Sequence, residues 1–369
     1  MGIVLRDIDL NEVRRILLIK PSSIGDVVHT LPTLAALRKR FPDRYITWVV
    51  EREAAGIVQG HPDVDQILVS GRKGWQRALK DPRNATKAVQ ELLAFVRELR
   101  AGSYDLAIDL QGLFKSAILT LLSGARYRVG FAPVREMAHR ALTHSVPYPH
   151  ALHAVERYLS LARCLGADGD PHAFFIATSL EDETRVRRFL SQSGISTDEP
   201  KVVLHSSARW GTKLWEEERF GRLGDLLAEK LGARILLTGS EADGPITARI
   251  AASMRHRALN LAGKLTLKGL VALLKQTSLL VTVDSGPMHI AAALGTPLVA
   301  LFGPTDPRWT GPYGPNCTVL QKTIPCRPCL KRRCQIAEER LCMRSIDVEE
   351  VLEAALFRYG QHLGGSDDG

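Results

Sequence analysis

Short apolar segments of strand type alternate with helical segments along the first half of the chain. Each strand-like segment is rich in β-branched or aromatic residues and is followed by a helical or turn pattern before the next begins. This alternation predicts a parallel sheet with helices on both faces, because parallel strands need a crossover connection. The first helical segment reads DVVHTLPTLAALRKRF, and the strand candidates read RRILLIK, YITWVVE, QILVS, YDLAIDL and RYRVGF.

The same alternation restarts near residue 201 and predicts a second α/β half. Its strand candidates read KVVLHSS, ARILLTGS, RALNLAG, LLVTVDSG and PLVALFGP, and a last helix reads DVEEVLEAALFRYG. A chain of 369 residues is long enough for two domains. We therefore expect two domains, 1–170 and 171–345, with a ligand cleft between them as the default site.

The chain carries a formal charge of +9, and part of this excess is local. Residues 72–87 hold six Lys/Arg against one acid, and residues 322–344 hold seven against two. Such clusters favour an anionic partner, for example nucleic acid, phosphorylated lipid or an anionic membrane, or they are simply solvated basic faces. Nucleic acid is the least favoured partner, because the clusters lack the interleaved aromatic residues of a stacking platform.

Targeting and membrane signals are missing from the sequence. The apolar segment IAAALGTPLVALFGP is interrupted by Gly295 and Pro297, and no apolar run reaches the length of a membrane span. The first ten residues contain acids and no apolar signal core, so we expect a cytoplasmic protein.

Two common nucleotide-binding motifs are absent, as is a well-placed metal motif. There is no G-x-G-x-x-G after the first strand and no G-x-x-x-x-G-K-[ST]. The D-x-D pairs at 7–9 and 63–65 precede strands, where turn or cap roles are expected. No cofactor is predicted.

The segment LLVTVDSGPMHIAAALGTPLVALFGPTDP, residues 279–307, is the clearest candidate ligand site. A buried strand ends at Asp284 and a small turn opens a helix, with a proline where its missing N–H costs nothing. Free amides and the helix dipole at such a start suit a diphosphate, although a well-capped helix alone explains the same pattern. The donor-site candidates here are Asp284, Ser285, Gly286, Pro287, Met288 and His289.

Two further strand ends carry polar residues that suit the same ligand. VVLHSSARWGTKLW offers hydroxyls at Ser206 and Ser207 and a cation at Lys213, which match phosphate oxygens. In ILLTGSEADGP, Glu241 either clamps a ribose hydroxyl or caps the next helix.

In the segment KPSSIGDVVHTLP, Asp26 follows the first strand, and more than one role is open to it. The carboxyl ends of parallel strands open into a crevice where ligands are held. The acid could be a ribose clamp, a catalytic base or the N-cap of a helix beginning at Val27.

Taken together, SSIGDVVHTLP and VDSGPMHIAAALGTP…LFGPTDP resemble glycosyltransferase family 9, the bacterial ADP-heptose:lipopolysaccharide heptosyltransferases. WVVE, YDLAIDLQGLFKSA, HAVERYL and TKLWEEERF agree with this, in order along nearly the whole chain. The resemblance implies the GT-B architecture, an α/β fold of two Rossmann-like parallel-sheet domains facing a central cleft, with the C-terminal helix 346–360 packing back on the first domain.

The resemblance implies inverting transfer of L-glycero-D-manno-heptose from ADP-heptose without a metal. Asp26 is then the general base, with Lys213 the second catalytic residue. Lys213, Ser206, Ser207 and the turn 285–289 stabilise the departing ADP. Asp284 binds the heptose hydroxyls or holds the turn.

The acceptor implied is Kdo-lipid A or the heptosylated inner core of lipopolysaccharide, bound by the N-terminal domain. The resemblance thus assigns the basic residues to binding the anionic groups of the acceptor, and it implies peripheral association with the inner face of the cytoplasmic membrane. The acceptor-site candidates are Ser23, Gly25, Arg72, Lys73, Arg77, Lys115 and Arg135.

The C-terminal cysteines and the subtype stay open. Cys326, Cys329, Cys334 and Cys342 are expected to form a thiol cluster or disulfide, with a metal site the less favoured alternative. SSIGDVVHTLP, WVVE and the regions of Lys115 and His153 resemble the type I enzyme, which adds the first heptose. The cysteine tail and DSGPMHIAAALGTP resemble type II, and type I is favoured. The alternatives are another GT-B nucleotide-sugar enzyme, such as a different sugar transferase or an epimerase, and a non-catalytic nucleotide-sugar-binding protein.

Overall fold

A computed structural model describes residue 5 and residues 7–364 of the chain. It divides into two compact units, Met1–Ala177 and Thr178–Gly369, a few residues beyond the boundary expected from the sequence. Each unit is an α/β layer structure, as the alternating pattern predicted.

Within the described residues, the first unit contains a six-stranded parallel sheet in the order β3-β2-β1-β4-β5-β6. This is the doubly wound order, in which the strand sequence reverses between β1 and β4 and leaves a crevice at their carboxyl ends. The strands are β1 (Arg15–Ile19), β2 (Tyr45–Glu51), β3 (Gln66–Ser70), β4 (Leu106–Asp109), β5 (Tyr127–Ala132) and β6 (His144–Pro147).

Helices cover both faces of this sheet and bury its apolar residues. One part of the core joins Leu17 and Val49 of the sheet to Phe95 and Leu99 on the longest helix of the unit. No helix in the described part of the chain is both long and apolar enough to cross a bilayer. The helices are α1 (Ile24–His29), α2 (Leu31–Arg40), α3 (Ala55–Val58), α4 (Arg72–Ala78), α5 (Pro82–Ala101), α6 (Phe114–Leu122) and α7 (Ala154–Cys164).

The first predicted helical segment is divided into α1 and α2. Thr30 ends α1 and precedes α2, and Pro32 lies in the first turn of α2. Proline has no N–H to continue the hydrogen bonding of α1, so the segment cannot remain one uninterrupted helix there.

The second unit repeats the strand order of the first. Its described strands form a six-stranded parallel sheet, β12-β11-β10-β7-β8-β9, in which the order reverses between β7 and β10. The strands are β7 (Lys201–His205), β8 (Arg234–Leu237), β9 (Leu259–Asn260), β10 (Leu279–Val283), β11 (Leu298–Phe302) and β12 (Cys317–Gln321). The helices are α8 (Leu180–Gln192), α9 (Glu217–Leu231), α10 (Gly244–Ser253), α11 (Leu267–Leu274), α12 (Gly286–Leu294), α13 (Pro307–Thr310), α14 (Leu341–Arg344) and α15 (Val348–Gly364).

All ten predicted strands are present, and each sheet has one further edge strand that the sequence did not reveal. These are β6 and β12, and each pairs on one side with its neighbour in the sheet. Their residues are mostly half-buried or exposed, so neither shows the continuous apolar run that marks a central strand.

The C-terminal helix differs from the expectation that it packs on the first domain. In the structure, Val351 and Ala355 of α15 are buried in the core of the second unit, where α15 packs against α9 and β11. Its apolar stripe predicts a buried face, but periodicity alone does not specify which sheet covers it.

Candidate active site

Asp26 lies in the first turn of α1, directly after the carboxyl end of β1. The helix begins at Ile24 with Ser23 as its N-cap, so the expectation that Asp26 is the N-cap of a helix beginning at Val27 is wrong. Instead, Asp26 Oδ2 accepts hydrogen bonds from the Ser23 backbone N–H at 2.9 Å and from its hydroxyl at 2.8 Å. This return bond to the N-cap is that of a capping box, and it fixes the carboxylate on the crevice side of β1.

The other carboxylate oxygen faces a buried lysine and a tyrosine. Tyr158 donates its hydroxyl to Asp26 Oδ1 at 3.0 Å, and Lys20 Nζ lies 3.6 Å from the same oxygen. Lys20 is 2% exposed and donates to the Tyr158 hydroxyl at 2.6 Å and to the Leu110 carbonyl at 3.0 Å. The three side chains therefore form a continuous hydrogen-bonded chain from Lys20 through Tyr158 to Asp26.

These contacts decide the charge of Asp26. Burial alone would raise its pKa, but the positive charge of Lys20 and the bonds from Ser23 outweigh that effect and hold the pKa well below its usual range. Burial and the neighbouring Asp26 raise the pKa of Tyr158, and burial lowers that of Lys20. Asp26 is thus an ionised carboxylate with about one third of its side chain open to solvent, 32%.

Neither Lys20 nor Tyr158 was identified from the sequence. Lys20 is the residue that follows β1, and Tyr158 lies on α7 in the HAVERYL stretch. Both stood in quoted motifs, but 132 residues separate Tyr158 from Asp26, and only the fold brings them together.

Three of the predicted acceptor-site cations surround a buried carboxylate, Glu51, at the end of β2. Arg72 contacts Glu51 Oε1 through Nε at 2.9 Å and through a terminal nitrogen at 2.8 Å. Lys115 Nζ lies 3.1 Å from Oε1, and Lys73 Nζ lies 3.7 Å from Oε2. Burial would raise the pKa of Glu51, but hydrogen bonds from Arg72 and Lys115 hold it below its ordinary value. Glu51 was not predicted as a site residue.

This cluster carries net positive charge and adjoins the segment that leads into α1. Lys73 Nζ also lies 2.9 Å from Glu53 Oε1, so three cations face two carboxylates. Lys115 also donates to the Ser22 hydroxyl at 2.5 Å, four residues before Asp26. The arrangement positions cations beside the carboxylate and can receive an anion.

The remaining acceptor-site candidates lie in different surroundings. Gly25 is buried within α1, one residue before Asp26. Arg77 is exposed on α4 and shares with Lys73 a cavity of about 430 Å³. Arg135 is exposed in a 3₁₀ segment, Arg135–Ala141, and no described contact joins it to the cluster around Glu51.

In the second unit, Lys213 is paired with Asp284 at the end of β10. Lys213 Nζ lies 2.6 Å from Asp284 Oδ2, and the Thr305 hydroxyl donates to the same oxygen at 2.6 Å. Asp284 is buried, so its two partners hold it in place. Of the two predicted roles, these contacts favour holding the local structure. Thr305 was not singled out, although it lies in the quoted LFGPTDP stretch.

The helix after β10 begins as the sequence predicted. Ser285 is the N-cap of α12, Gly286 is its first residue, and Pro287 follows in the first turn. Met288 and His289 are buried. The amides of this first turn lack intrahelical partners and carry the positive end of the helix dipole, which suits an anionic ligand.

Ser206 and Ser207 follow β7, which pairs with β10, so they lie at the same edge of the second sheet as Asp284. Both are buried, and within the described residues their hydroxyls have no hydrogen-bond partner. A buried hydroxyl without a partner is costly, so a ligand or a water molecule that hydrogen-bonds to Ser206 and Ser207 would be favoured at this edge of the sheet.

Glu241 does not cap the helix that follows it. It is exposed in a short 3₁₀ turn, and it is Asp243 that accepts hydrogen bonds from the Ser240 backbone at 2.7 Å and hydroxyl at 2.6 Å. Glu241 is therefore exposed to solvent after the end of β8 and does not act as a helix cap.

The four C-terminal cysteines are free thiols, so the disulfide alternative is not realised. Burial raises the pKa of the Cys342 thiol, and the nearby Cys326 and Cys329 add to this. The predicted thiol cluster is thus consistent with their positions. Among the described residues, no group of three or more His, Cys, Asp and Glu side chains is arranged to hold a metal ion.

The chain is similar in sequence to known proteins. Residues 92–339 match the family model of glycosyltransferase family 9 (heptosyltransferase). Lipopolysaccharide heptosyltransferase 1 of Pseudomonas aeruginosa is 35% identical over 331 residues, which are 87% of each protein.

Two solved structures extend the similarity to the fold. The E. coli ADP-heptose lps heptosyltransferase II aligns with a TM-score of 0.73 and 25% identity, over 95% of this chain and 99% of that one. The E. coli heptosyltransferase WaaC with ADP-2-deoxy-2-fluoro heptose aligns with a TM-score of 0.68 and 29% identity, over 92% and 98%. These similarities confirm the predicted GT-B fold class.

Proposed function

Because the chain belongs to glycosyltransferase family 9 and is therefore a glycosyltransferase, we propose that it transfers L-glycero-D-manno-heptose from ADP-heptose to the Kdo region of lipopolysaccharide. The observation that carries this proposal is the ionised, partly exposed Asp26 at the carboxyl end of β1. A general base has to be ionised, held in place and open to the acceptor, and Asp26 meets these three conditions.

Asp26 acts as the general base in the proposed reaction. The acceptor hydroxyl oxygen attacks the anomeric carbon, the bond from that carbon to the ADP oxygen breaks, and the hydroxyl proton passes to Asp26. Attack opposite the leaving group inverts the anomeric centre. The transition state has oxocarbenium character, as in glycoside hydrolysis.

The low pKa of Asp26 suits a late proton transfer. A weakly basic carboxylate hardly deprotonates an intact alcohol. Once the hydroxyl oxygen bonds to the anomeric carbon, its proton becomes strongly acidic and passes to the carboxylate. Lys20 and Tyr158 keep Asp26 ionised before attack and orient its free lone pairs.

The second unit stabilises the leaving group in this proposal. The start of α12 and Lys213 interact with the diphosphate, and the buried hydroxyls of Ser206 and Ser207 donate to it. Because a lysine and a helix start supply the positive charge, the proposed reaction needs no divalent metal. Asp284 and Thr305 hold Lys213 in position.

The first unit binds the acceptor. In this proposal Arg72, Lys73 and Lys115 bind the carboxylate and phosphate groups of Kdo-lipid A, and the enzyme works at the inner face of the cytoplasmic membrane. The 35% identity to a heptosyltransferase 1 supports addition of the first heptose.

The test is ADP release from ADP-heptose, with and without Kdo-lipid A. We expect release that depends on the acceptor and falls about 10²- to 10⁴-fold in Asp26→Asn, while donor binding persists. Asp182→Asn is a matched control, because Asp182 makes the same bonds to Ser179 at the start of α8, at 3.1 and 2.7 Å. Near-normal turnover by Asp26→Asn would refute the role of Asp26. ADP release that does not depend on the acceptor would refute transfer.

A further inference from the structure

Two helices of the first unit carry apolar faces that their own sheet does not cover. On α5, Val89, Leu92 and Leu93 are exposed beside the buried Phe95. Large apolar residues at such helical spacing normally face a core. Here the apolar face of α5 is wider than the part that the sheet buries.

The neighbouring helix α6 shows the same feature. Phe114, Ile118 and Leu121 are exposed and follow one another at intervals of four and three residues, which puts them on one side of the helix. Phe114 is 61% exposed. The two apolar faces share a groove of about 320 Å³, lined by Leu92 and Val96 of α5 and by Ile118 and Leu119 of α6.

Positive charge borders this apolar surface. Arg72 and Lys115, at the cluster around Glu51, line one end of the groove. The adjoining segment 72–87, which forms α4 and the start of α5, holds the six basic residues against one acid noted above. An apolar face flanked by Lys and Arg is complementary to the surface of an anionic bilayer, with headgroups at the cations and hydrocarbon at the apolar residues.

We propose that the exposed faces of α5 and α6 dock this protein on an anionic lipid bilayer, with Phe114 and Leu121 entering the interface. The inference deepens the proposed function, whose acceptor is a lipid, and specifies which surface meets the membrane. Lys115 links this surface through Ser22 to the segment that leads into α1, so docking brings the lipid headgroups toward Asp26.

The experiment measures co-sedimentation of the full chain with vesicles, in the absence of donor and acceptor. We expect binding to phosphatidylglycerol/phosphatidylcholine vesicles, weaker binding in high salt, and little binding to phosphatidylcholine alone. Phe114→Ser/Leu121→Ser should lower the partition coefficient at least tenfold. Lys80→Gln and Arg83→Gln should each lower it about fivefold, on anionic vesicles.

The control exploits an exposed phenylalanine on the other unit. Phe357 on α15 is 59% exposed, nearly the same as Phe114. Phe357→Ser should leave vesicle binding unchanged. A Phe114→Trp variant should also bind and be quenched by lipids with brominated chains, whereas Phe357→Trp should not, and this comparison does not depend on a destabilising substitution.

Three results would overturn the inference. The first is equal vesicle binding by the Phe114→Ser/Leu121→Ser variant and the unmodified chain. The second is that the unmodified chain does not bind anionic vesicles. The third is light scattering that shows a dimer of the unmodified chain and a monomer of this variant. The last would assign the surface to a second copy of the chain. If only the docking surface is wrong, ADP release with a deacylated, water-soluble acceptor stays intact. If only the proposed function is wrong, there is no such ADP release and vesicle binding stays intact.

Discussion

Replacing Lys20 by Met tests the electrostatic account of the base. Lys20 Nζ lies 3.6 Å from Asp26 Oδ1 and is the largest of the influences that lower the pKa of Asp26. Methionine retains a long unbranched stem in the buried site but removes the charge. With the cation gone, burial is opposed mainly by Ser23, so the pKa of Asp26 must rise.

The size of the change follows from the distance. Two unit charges 3.6 Å apart interact by about 4.6 kcal/mol at an effective dielectric constant of 20, and by about 1.2 kcal/mol in bulk water. Because about one third of Asp26 is open to solvent, the effect lies between these limits. At about 1.4 kcal/mol per unit, the pKa should rise by about 1 to 3 units.

The assay is the pH dependence of kcat/KM for acceptor-dependent ADP release. A base must be ionised, so activity is lost as the pH falls through its pKa, and in Lys20→Met this acid limb should move to higher pH. Lys201→Met is the control, because Lys201 is equally buried but donates to the backbone carbonyls of Thr197 and Glu199 in the second unit. An active, folded Lys20→Met enzyme with an unmoved acid limb would refute the reasoning.

Four further substitutions test the other groups. Ser206→Ala and Ser207→Ala should each raise the KM for ADP-heptose about tenfold without lowering Tm, since their hydroxyls have no partner in the described protein; a drop in Tm would contradict this. Glu51→Gln should cost about 3 kcal/mol of unfolding free energy at pH 7. Hydrogen bonds from Arg72 and Lys115 hold the folded-state pKa of Glu51 below its ordinary value, so its contribution is fully present above the ordinary pKa and is lost as the pH falls through the folded one. In urea unfolding, the difference between Glu51→Gln and the unmodified chain should therefore shrink as the pH is lowered below that ordinary pKa, and a difference that does not change with pH would argue against the ion cluster. Thr305→Val should lower kcat/KM about tenfold, because Asp284 loses one of the two partners that hold it, and a cooperative thermal transition is the control that shows the variant to be folded.

The sequence was sufficient for the central strands and for residues next to them. Buried parallel strands such as β1 and β10 are continuous apolar runs, and the polar residues that follow them must lie at the carboxyl edge of a sheet. For this reason Asp26, Asp284 and Ser206 could be identified without coordinates. Their position depends on only a few residues of local chain.

Contacts between distant segments could not be predicted in the same way. Tyr158 reaches Asp26 across 132 residues, and Glu51 looked like the last residue of a strand until the fold brought Arg72 and Lys115 to it. The exposed face of α6 likewise has the spacing of a core face, and periodicity does not distinguish a covered face from an uncovered one.

The capping box at the start of α1 has a consequence for how the enzyme recovers after each turnover. The bonds from the Ser23 amide and hydroxyl favour a charged Asp26, so in the proposed reaction a proton taken from the acceptor would weaken the first turn of the helix. In the proposed cycle, the protonated carboxyl then releases its proton to solvent and the two hydrogen bonds from Ser23 regain their full strength. The first turn of α1 would thus help to return Asp26 to its ionised form, and the amide of Ser23 should exchange its hydrogen faster during turnover than at rest.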